Sequence, residues 1–236
     1  MPSGLFKGER LLELGRGPAI YRLIAATTHF SEIVFSDYTA SCREEVRKWI
    51  ENREDAYDWS RHFKFVTDMI GNRSVSRLFY EIIDRHIVFT WIGKKFKKML
   101  RQKITDVVPC DVLKSNPLEP FTYDTFDGII VASCLEMACA DIASFRNSVK
   151  SVASLLKPGG VVVHWGRLGG NFYNVGDASF HALTTTEEIV RNAYKQAGFS
   201  IIQCVKVGGG GEDLKHLADA NNYLFMVASK HSVVHA

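Results

Sequence analysis

A glycine turn and an aspartate downstream of it are the residues whose types and spacing best suit the binding of a ligand. Gly15 and Gly17 follow a short apolar run, and Pro18 comes directly after them. Glycine lets the backbone turn tightly and approach a ligand closely, and proline is favoured at the first position of a helix. Amide groups exposed at a helix start suit a carboxylate or a phosphate. Asp37 ends the next predicted strand, so its carboxylate can accept hydrogen bonds from the two hydroxyls of a ribose beside the turn.

Simpler interpretations of these residues stay open. The glycines also fit an ordinary strand–turn–helix connection, and Asp37 also suits the N-cap of the helix that follows it. Ile20 stands where the dinucleotide fingerprint Gly-x-Gly-x-x-Gly has its third glycine. The sequence therefore disfavours a nicotinamide-dependent dehydrogenase.

The elements that must position these residues alternate between strands and helices. Short runs of apolar, β-branched and aromatic residues predict seven strands, at residues 10–14, 32–36, 107–110, 126–132, 161–165, 199–207 and 223–229. Such alternation predicts a parallel sheet with helices on both faces. The last two strands have no helix between them, so we expect them to pair antiparallel. The predicted fold class is α/β, a Rossmann-like, doubly wound, seven-stranded sheet that is mostly parallel with an antiparallel last strand.

Helices are predicted between most of these strands, at residues 19–28, 40–52, 93–105, 141–156 and 187–197. Asp141 and Thr186 stand at positions that favour helix N-caps. Residues 63–73 are predicted as mixed strand and loop, and residues 166–176 as a glycine-rich loop. Ligands of such sheets bind at the carboxyl ends of the strands, so the site is expected there.

Residues 74–92 form an unusual segment. It is rich in bulky apolar side chains but has neither a helical nor a strand period. Two explanations compete. Either the segment forms a helix or hairpin that covers the site, or it is an accidental insertion, for example retained intron sequence, that the fold excludes as a loop. Charged side chains without a pattern in its middle favour the insertion.

Composition limits the possible partners and compartments. The chain has 236 residues, 46% of them apolar and 23% charged, which fits one domain over residues 1–236 with a substantial core. The net charge of +3 is too small to indicate a nucleic-acid or membrane partner by itself. The first residues do not resemble a signal peptide, and no apolar run is long enough to span a bilayer. We therefore expect a cytoplasmic monomer with neither nucleic acid nor membrane as partner.

Two features that suggest metal or nucleic acid have simpler explanations. Five cysteines are scattered through the chain without a Cys-x-x-Cys pair. This odd set indicates reduced thiols rather than disulfides or a zinc site, so no metal is expected. The predicted helix at residues 93–105 carries six Lys or Arg residues, which would suit nucleic acid. No aromatic platform or second basic patch accompanies them, so a solvated helix face is the preferred interpretation.

Several stretches together resemble one family, the small-molecule amine N-methyltransferases, which include nicotinamide, phenylethanolamine and indolethylamine N-methyltransferases. The resemblance covers residues 11–230, and its main pieces are LLELGRGPAIYRL, FSDYTASCREEVRKWI, DAYDWS, PCDVLKSNPL, FDGIIVASCLEMACADI and NNYLFMVASK. Glu13 also stands where Rossmann-like enzymes that use S-adenosylmethionine (SAM) commonly carry an acid. The resemblance implies a SAM-dependent enzyme that transfers a methyl group to a small amine or a pyridine-type nitrogen.

The resemblance also implies which residues contact the cofactor. Glycines let the backbone run close to the methionine part of SAM, and a tyrosine hydroxyl reaches its carboxylate. Acidic side chains accept hydrogen bonds from the ribose hydroxyls and from the adenine amino group. The implied residues are Gly15, Gly17, Tyr21, Asp37, Tyr38, Asp111, Val112 and Ala132. Two simpler interpretations stay open, namely that Asp111 only forms a turn and that Tyr21 only packs.

For the methyl acceptor, the resemblance implies that Ser133 lies near the transferred methyl group and that Glu136 faces the amine. Glu136 is the best candidate to hold an ammonium and to accept its proton. Asp219, before the last strand, is a second catalytic candidate, and Tyr173 suits stacking on an aromatic substrate. The simpler interpretations are a solvated helix-entry position for Glu136 and a loop-anchoring role for Tyr173.

The sequence departs from this family at several points. The family's N-terminal segment, whose tyrosines close over cofactor and substrate, has no counterpart, and Arg16 and Cys42 replace residues that are usually small or polar. After the fifth strand, where the family has acidic groups, this chain has glycines and Arg167. The alternative function is therefore a non-catalytic or truncated relative that binds SAM weakly or acts as an interaction module.

Overall fold

The computed structural model describes residues 6–15, 17–74, 85–208, 218–220 and 222–232. Of residues 67, 70–74 and 85–92 it describes the backbone alone. Arg16 and part of the segment 74–92 therefore lie outside the described residues, and the expectations for them stay predictions.

A seven-stranded sheet forms the centre of the described structure. Its strands, in chain order, are β1 (Gly8–Leu14), β2 (Phe30–Asp37), β3 (Ile104–Pro109), β4 (Phe126–Ala132), β5 (Leu156–Leu168), β8 (Phe199–Gly208) and β9 (Asn222–Lys230). Their order across the sheet is β3-β2-β1-β4-β5-β9-β8. Strands β1 to β5 pair in parallel, whereas β9 runs antiparallel to both β5 and β8. The predicted fold class, including the antiparallel last strand, is confirmed.

The register of the parallel pairs aligns the carboxyl ends of the strands along one edge of the sheet. Asp37, at the end of β2, pairs with Pro109 at the end of β3. Ala132, at the end of β4, pairs with Trp165 in β5. Strand β5 then continues past β4, so its last residues lie beyond the end of its neighbour.

Helices cover both faces of the sheet. They are a 3₁₀ helix (Ile20–Thr28), α1 (Ala40–Ile50), α2 (Ser60–Ser74), α3 (Arg85–Lys103), the short α4 (Leu135–Ala138), α5 (Ile142–Leu155) and α6 (Glu187–Gln196). Two large core clusters result, because successive side chains of a strand point to opposite faces. Leu11 packs in the cluster with the 3₁₀ helix and α1 to α3, and Leu12 packs in the cluster with α5 and α6.

The helix boundaries follow the predicted capping residues. The Asp141 carboxylate accepts a hydrogen bond from the Ser144 N–H at 2.7 Å, and the Thr186 hydroxyl accepts one from the Ile189 N–H at 3.2 Å. Both predicted N-caps are confirmed, and each satisfies an N–H that has no partner inside its own helix. The helix predicted after the glycine turn is present, as a 3₁₀ helix.

Two local predictions were wrong. Residues 63–73, predicted as mixed strand and loop, lie in helix α2. Phe63 in this helix is buried and stacks on Trp49 with ring centroids 5.7 Å apart, so tertiary packing overrides the weak local pattern. The predicted loop at residues 166–176 begins as part of β5 and continues into β6 (Phe172–Val175), which forms a two-stranded ribbon with β7 (Ala178–His181).

The basic helix differs from its predicted form as well. It starts at Arg85, within the segment 74–92, so the end of that segment has a helical backbone. The interpretation as a solvated face is wrong for several basic side chains. The Arg101 guanidinium lies 4.6 Å from the Trp49 ring centre, and Lys103 Nζ donates to the Thr27 carbonyl at 2.8 Å. These cations hold α3 against α1 and the 3₁₀ helix.

The described ranges contain free thiols but neither a cluster of metal ligands nor a helix suited to a membrane. All five cysteines are free thiols. No three His, Cys, Asp or Glu side chains in those ranges are grouped to hold a metal ion. Among the helices given above, none is both long and apolar enough to cross a membrane.

Candidate active site

The glycine turn and Asp37 meet at the carboxyl edge of the sheet. Asp37 is 5% exposed, and its Oδ2 accepts a hydrogen bond from the Gly17 N–H at 2.5 Å. Its Oδ1 accepts from the N–H and the hydroxyl of Thr39, at 2.9 and 2.7 Å. The residue at the N-cap of α1 is Thr39, so the interpretation of Asp37 as that cap is wrong.

The backbone of the turn requires glycine at Gly15 and Gly17. Their φ angles are 66° and 69°, in the left-handed region that disfavours other residues. A Cβ on Gly15 would overlap the sulfur of Cys134. A Cβ on Gly17 would meet, among the described atoms, only Cys42 Sγ at 3.7 Å, so space lies beside this part of the turn. The arrangement is one that a ligand can approach at backbone level.

The loop after β3 lies against the same edge. The Cys110 N–H donates to the Asp37 carbonyl at 3.2 Å, which brings Asp111 and Val112 close to the end of β2. Asp111 Oδ1 accepts from the Leu113 N–H at 3.0 Å, so Asp111 does form a turn, and its contact with an adenine stays a prediction. Val112 is buried. We call the region made by the glycine turn, Asp37 and this loop the cofactor half of the site.

Two tyrosines predicted for the cofactor half differ in their surroundings. Tyr21 stacks on His62 with centroids 4.9 Å apart and lies 5.6 Å from Trp59, so it does pack, as the simpler interpretation expects. Its hydroxyl accepts from Arg22 Nη2 at 3.3 Å. Tyr38 is 73% exposed. Their contacts with a cofactor stay predictions.

Glu136 is a buried carboxylate just past the end of β4. It lies in α4 and is 1% exposed, so its interpretation as a solvated helix-entry residue is wrong. Glu136 Oε1 accepts a hydrogen bond from the Arg167 N–H at 2.8 Å. Between β4 and α4, Ala132 is buried, and Ser133 has a φ of 48° and donates its N–H to the Trp165 carbonyl at 2.6 Å. We call the region made by Glu136, Ala132 and Ser133, together with the end of β5, the acceptor half of the candidate site.

Asp219 holds the β6–β7 ribbon against the end of β5. Its carboxylate accepts from the Asn171 N–H at 2.9 Å, from the Phe172 N–H at 3.2 Å and from Arg167 Nη2 at 3.3 Å. Partial burial opposes ionisation, but these backbone N–H groups hold the pKa of Asp219 below its usual range. Tyr173 stacks on Phe180 across the ribbon with centroids 5.3 Å apart, as a loop-anchoring residue would.

Arg167 is the residue of this site that sequence reasoning missed. It is 4% exposed, and it contacts both candidate acids, Glu136 through its backbone N–H and Asp219 through its guanidinium. Its Nε and Nη1 are buried and have no hydrogen-bond partner among the described residues. Each unsatisfied buried donor costs about 1–3 kcal/mol, and more when it is charged. The sequence feature that could have identified Arg167 is a charged residue near the carboxyl end of the apolar strand VVVHWGRL.

The buried thiols and the buried imidazole near the sheet's carboxyl edge are not suited to act as nucleophiles or bases. Burial raises the pKa of the Cys110 thiol to about 12 and the pKa of the Cys134 thiol well above its usual value. Burial lowers the pKa of His164 to about 4, and its Nδ1 is 3.1 Å from the Tyr194 hydroxyl, on the opposite sheet face from Arg167. These groups support the fold, because thiols must ionise to react and this imidazole is neutral and enclosed.

Comparison with solved structures defines the class of protein. A SAM-dependent methyltransferase from Methanosarcina mazei superposes with a TM-score of 0.61 at 12% identity, over 97% of this chain and 95% of that one. The N-methyltransferase NodS from Bradyrhizobium japonicum, in complex with S-adenosyl-L-homocysteine (SAH), gives a TM-score of 0.51 at 13% identity, over 95% and 79%. The fold is that of the SAM-dependent methyltransferases.

Sequence comparison defines the family. The profile of the NNMT/PNMT/TEMT family matches residues 1–231, and the chain belongs to this family. Nicotinamide N-methyltransferase of Homo sapiens is 33% identical over 83% of this chain and 67% of that protein. Indolethylamine N-methyltransferase of Oryctolagus cuniculus is 35% identical, over 86% and 70%. Phenylethanolamine N-methyltransferase of Macaca mulatta is 28% identical, over 84% and 65%.

These findings confirm the family predicted from the sequence, enzyme status and SAM as the cofactor. The residues present fit that cofactor. A nearly buried carboxylate stands against a left-handed glycine turn with space beside it, at the edge where such sheets bind ligands.

Proposed function

We propose that this chain transfers a methyl group from SAM to a small amine or a pyridine-type nitrogen. The observation that carries the proposal is the contact between Asp37 and Gly17 at the carboxyl edge of the sheet. It brings a carboxylate for ribose hydroxyls to the glycine turn that passes the rest of the cofactor. The relatives named above are N-methyltransferases of small amines or nicotinamide, which supports a nitrogen acceptor.

In the cofactor half, Gly15 and Gly17 let the backbone approach the methionine part of SAM, and Asp37 accepts its ribose hydroxyls. Asp111 and Val112 hold the adenine. Asp37 already accepts hydrogen bonds from two backbone N–H groups, which fixes its carboxylate before any ligand arrives. The Thr39 hydroxyl donates to it as well, and a carboxylate has about four lone-pair sites, so capacity for one ribose hydroxyl is left while all three of these hydrogen bonds persist.

In the acceptor half, Glu136 holds the nitrogen of an amine acceptor and accepts its proton, whereas a pyridine-type nitrogen has no proton to lose. SAM, when bound, supplies a methyl group that is already activated for transfer. The protein has to align the nitrogen and exclude water, and a buried carboxylate beside the end of β4 suits both tasks. The N–H of Arg167 fixes one oxygen of Glu136. We assign Asp219 the positioning of the ribbon that carries Tyr173, because its oxygens accept from ribbon N–H groups.

The proposal extends to partners and compartment. A small-molecule acceptor requires no macromolecular partner, and we propose a cytoplasmic monomer. Five free thiols fit a reducing compartment. Light scattering coupled to size-exclusion chromatography checks the mass, and a dimer would contradict the monomer.

One experiment separates this function from the alternatives. Isothermal titration with SAM, SAH and NAD is followed by methyl transfer from labelled SAM across a panel of small amines and pyridines. We expect SAM and SAH to bind, NAD not to bind, and at least one amine or pyridine to be methylated. Binding of SAH without turnover of any acceptor would favour the non-catalytic relative, and binding of NAD alone would favour a dehydrogenase.

A further inference from the structure

Arg167 carries a positive charge that the described contacts leave only partly satisfied. A guanidinium stays charged at any physiological pH and offers five N–H donors. Nη2 donates to the Phe172 carbonyl at 2.9 Å and to Asp219 at 3.3 Å. The donors on Nε and Nη1 are buried without a hydrogen-bond partner among the described residues.

Asp219 does not fully compensate this charge. Its two oxygens accept from the Asn171 N–H at 2.9 and 3.0 Å, and it meets the guanidinium at one nitrogen only, at 3.3 Å. The Asp219 side chain is 31% exposed, whereas that of Arg167 is 4% exposed. Water at the exposed carboxylate therefore weakens its attraction to the buried guanidinium.

The backbone of Arg167 lies in the acceptor half. Trp165 pairs with Ala132, the last residue of β4, and Arg167 follows two residues later, beyond the end of that strand. The Arg167 N–H donates to Glu136, the residue assigned to the substrate nitrogen. The Thr185 hydroxyl donates to the Arg167 carbonyl at 2.7 Å, so the backbone of this residue is fixed on both sides.

We propose that Arg167 recognises a carboxylate on the methyl acceptor, so that the substrate class is an amine or pyridine that also carries a carboxylate. This proposal rests on the proposed function. Glu136 takes the ammonium of an amine acceptor, and the donors on Nε and Nη1 of Arg167 take the carboxylate of either an amine or a pyridine acceptor. Charge-assisted hydrogen bonds of arginine to carboxylates are among the strongest in proteins, so two groups of opposite charge would orient the acceptor.

The methionine part of SAM also carries a carboxylate. The experiment must therefore distinguish binding of the acceptor's carboxylate from binding of the carboxylate of SAM. The test titrates the protein saturated with SAH with two matched pairs of acceptors. The pairs are pyridine-3-carboxylate with pyridine-3-carboxamide, and tryptophan with tryptamine. We expect the carboxylate of each pair to bind about 10- to 100-fold tighter than its partner, the range for hydrogen bonds to a charged group.

Variants sharpen the test. Arg167→Met removes the preference for carboxylates, and Arg167→Lys retains part of it, while SAH affinity changes less than about twofold in either variant. Lys195→Met, which removes an exposed cation from α6, keeps the preference. Loss of SAH affinity in Arg167→Met with an unchanged preference would assign the residue to the methionine carboxylate and overturn the proposal.

Comparing the two members of each acceptor pair in the wild-type protein tests the proposal even if Arg167→Met does not fold. Equal binding of both members of each pair, or tighter binding of carboxamide and tryptamine, overturns the proposal. Because binding is read without turnover, failure of the proposed function shows separately, as SAH-dependent acceptor binding with no methylated product.

Discussion

The cofactor half and the acceptor half of the site are held together in different ways. In the cofactor half, the Gly17 N–H of a left-handed turn donates a hydrogen bond to the side chain of Asp37, 20 residues later in the chain. In the acceptor half, Arg167 contacts Glu136 and Asp219, which lie 31 and 52 residues away from it. The residues of the cofactor half are therefore positioned by backbone conformation, and those of the acceptor half are positioned by contacts of buried charged residues.

This difference indicates where the chain keeps its family's properties and where it departs from them. The cofactor half has residue types that backbone geometry requires, so few other residues fit there. The acceptor half has a buried arginine where the family resemblance led us to expect acids. The two halves should therefore respond differently to substitution.

The strongest test of the cofactor half is Gly15→Ala. The new Cβ would overlap Cys134 in a left-handed backbone conformation, so we expect unfolding free energy to fall by about 2–5 kcal/mol. Gly176→Ala is the matched control, because its φ is 57° but no described atom lies within 4 Å of the added Cβ. We expect it to cost about 1 kcal/mol. Equal losses in urea unfolding would mean that contact with Cys134 does not define the turn.

The stability of the protein should respond to pH through His164, which lies in β5 on the opposite sheet face from Arg167. Burial lowers the pKa of His164 from 6.5 to about 4, so between these values the unfolded chain binds a proton that the folded chain does not. Stability from this group is therefore present above pH 6.5 and lost as pH falls towards 4, by about 3 kcal/mol. Urea unfolding across this range should show a shallower slope with pH in His164→Gln. An unchanged slope would contradict the burial of this imidazole.

Glu136→Gln tests the chemistry of the acceptor half. The amide oxygen can still accept from the Arg167 N–H, but it cannot take a proton, so we expect kcat with an amine acceptor to fall about 100-fold. SAM affinity should stay within about twofold. Asp219→Asn is the comparison variant, and it should raise KM more than it lowers kcat because Asp219 positions the ribbon. The opposite pattern in steady-state kinetics would exchange the two roles.

Much of the fold could be predicted from the sequence because its signals are local. Near-continuous apolar runs such as that of β4 indicate strands buried on both faces, and Asp141 and Thr186 are capping residues read within one helical turn. Helix α2 was missed because its buried side chain Phe63 packs on Trp49 of another helix. Because this contact joins two different helices, a local sequence pattern does not show it.

The candidate site could also be predicted only in part. Gly15, Gly17 and Asp37 were predicted from residue type and spacing, and the structure brings them together. The burial of Glu136 and its contact with Arg167 could not be predicted, since both depend on how far β5 extends past β4. A charged residue within an apolar strand is the signal that sequence reasoning should follow further.

Asp37→Ala gives the most direct test of the central claim, that this chain binds SAM at the glycine turn. We expect isothermal titration with SAH to show binding weakened by about 1.5–3 kcal/mol, because a charged acceptor of hydrogen bonds is lost. Asp124→Ala, which removes an exposed carboxylate at the opposite edge of the sheet, should bind SAH as the wild type does. An unchanged dissociation constant in folded Asp37→Ala would contradict the account.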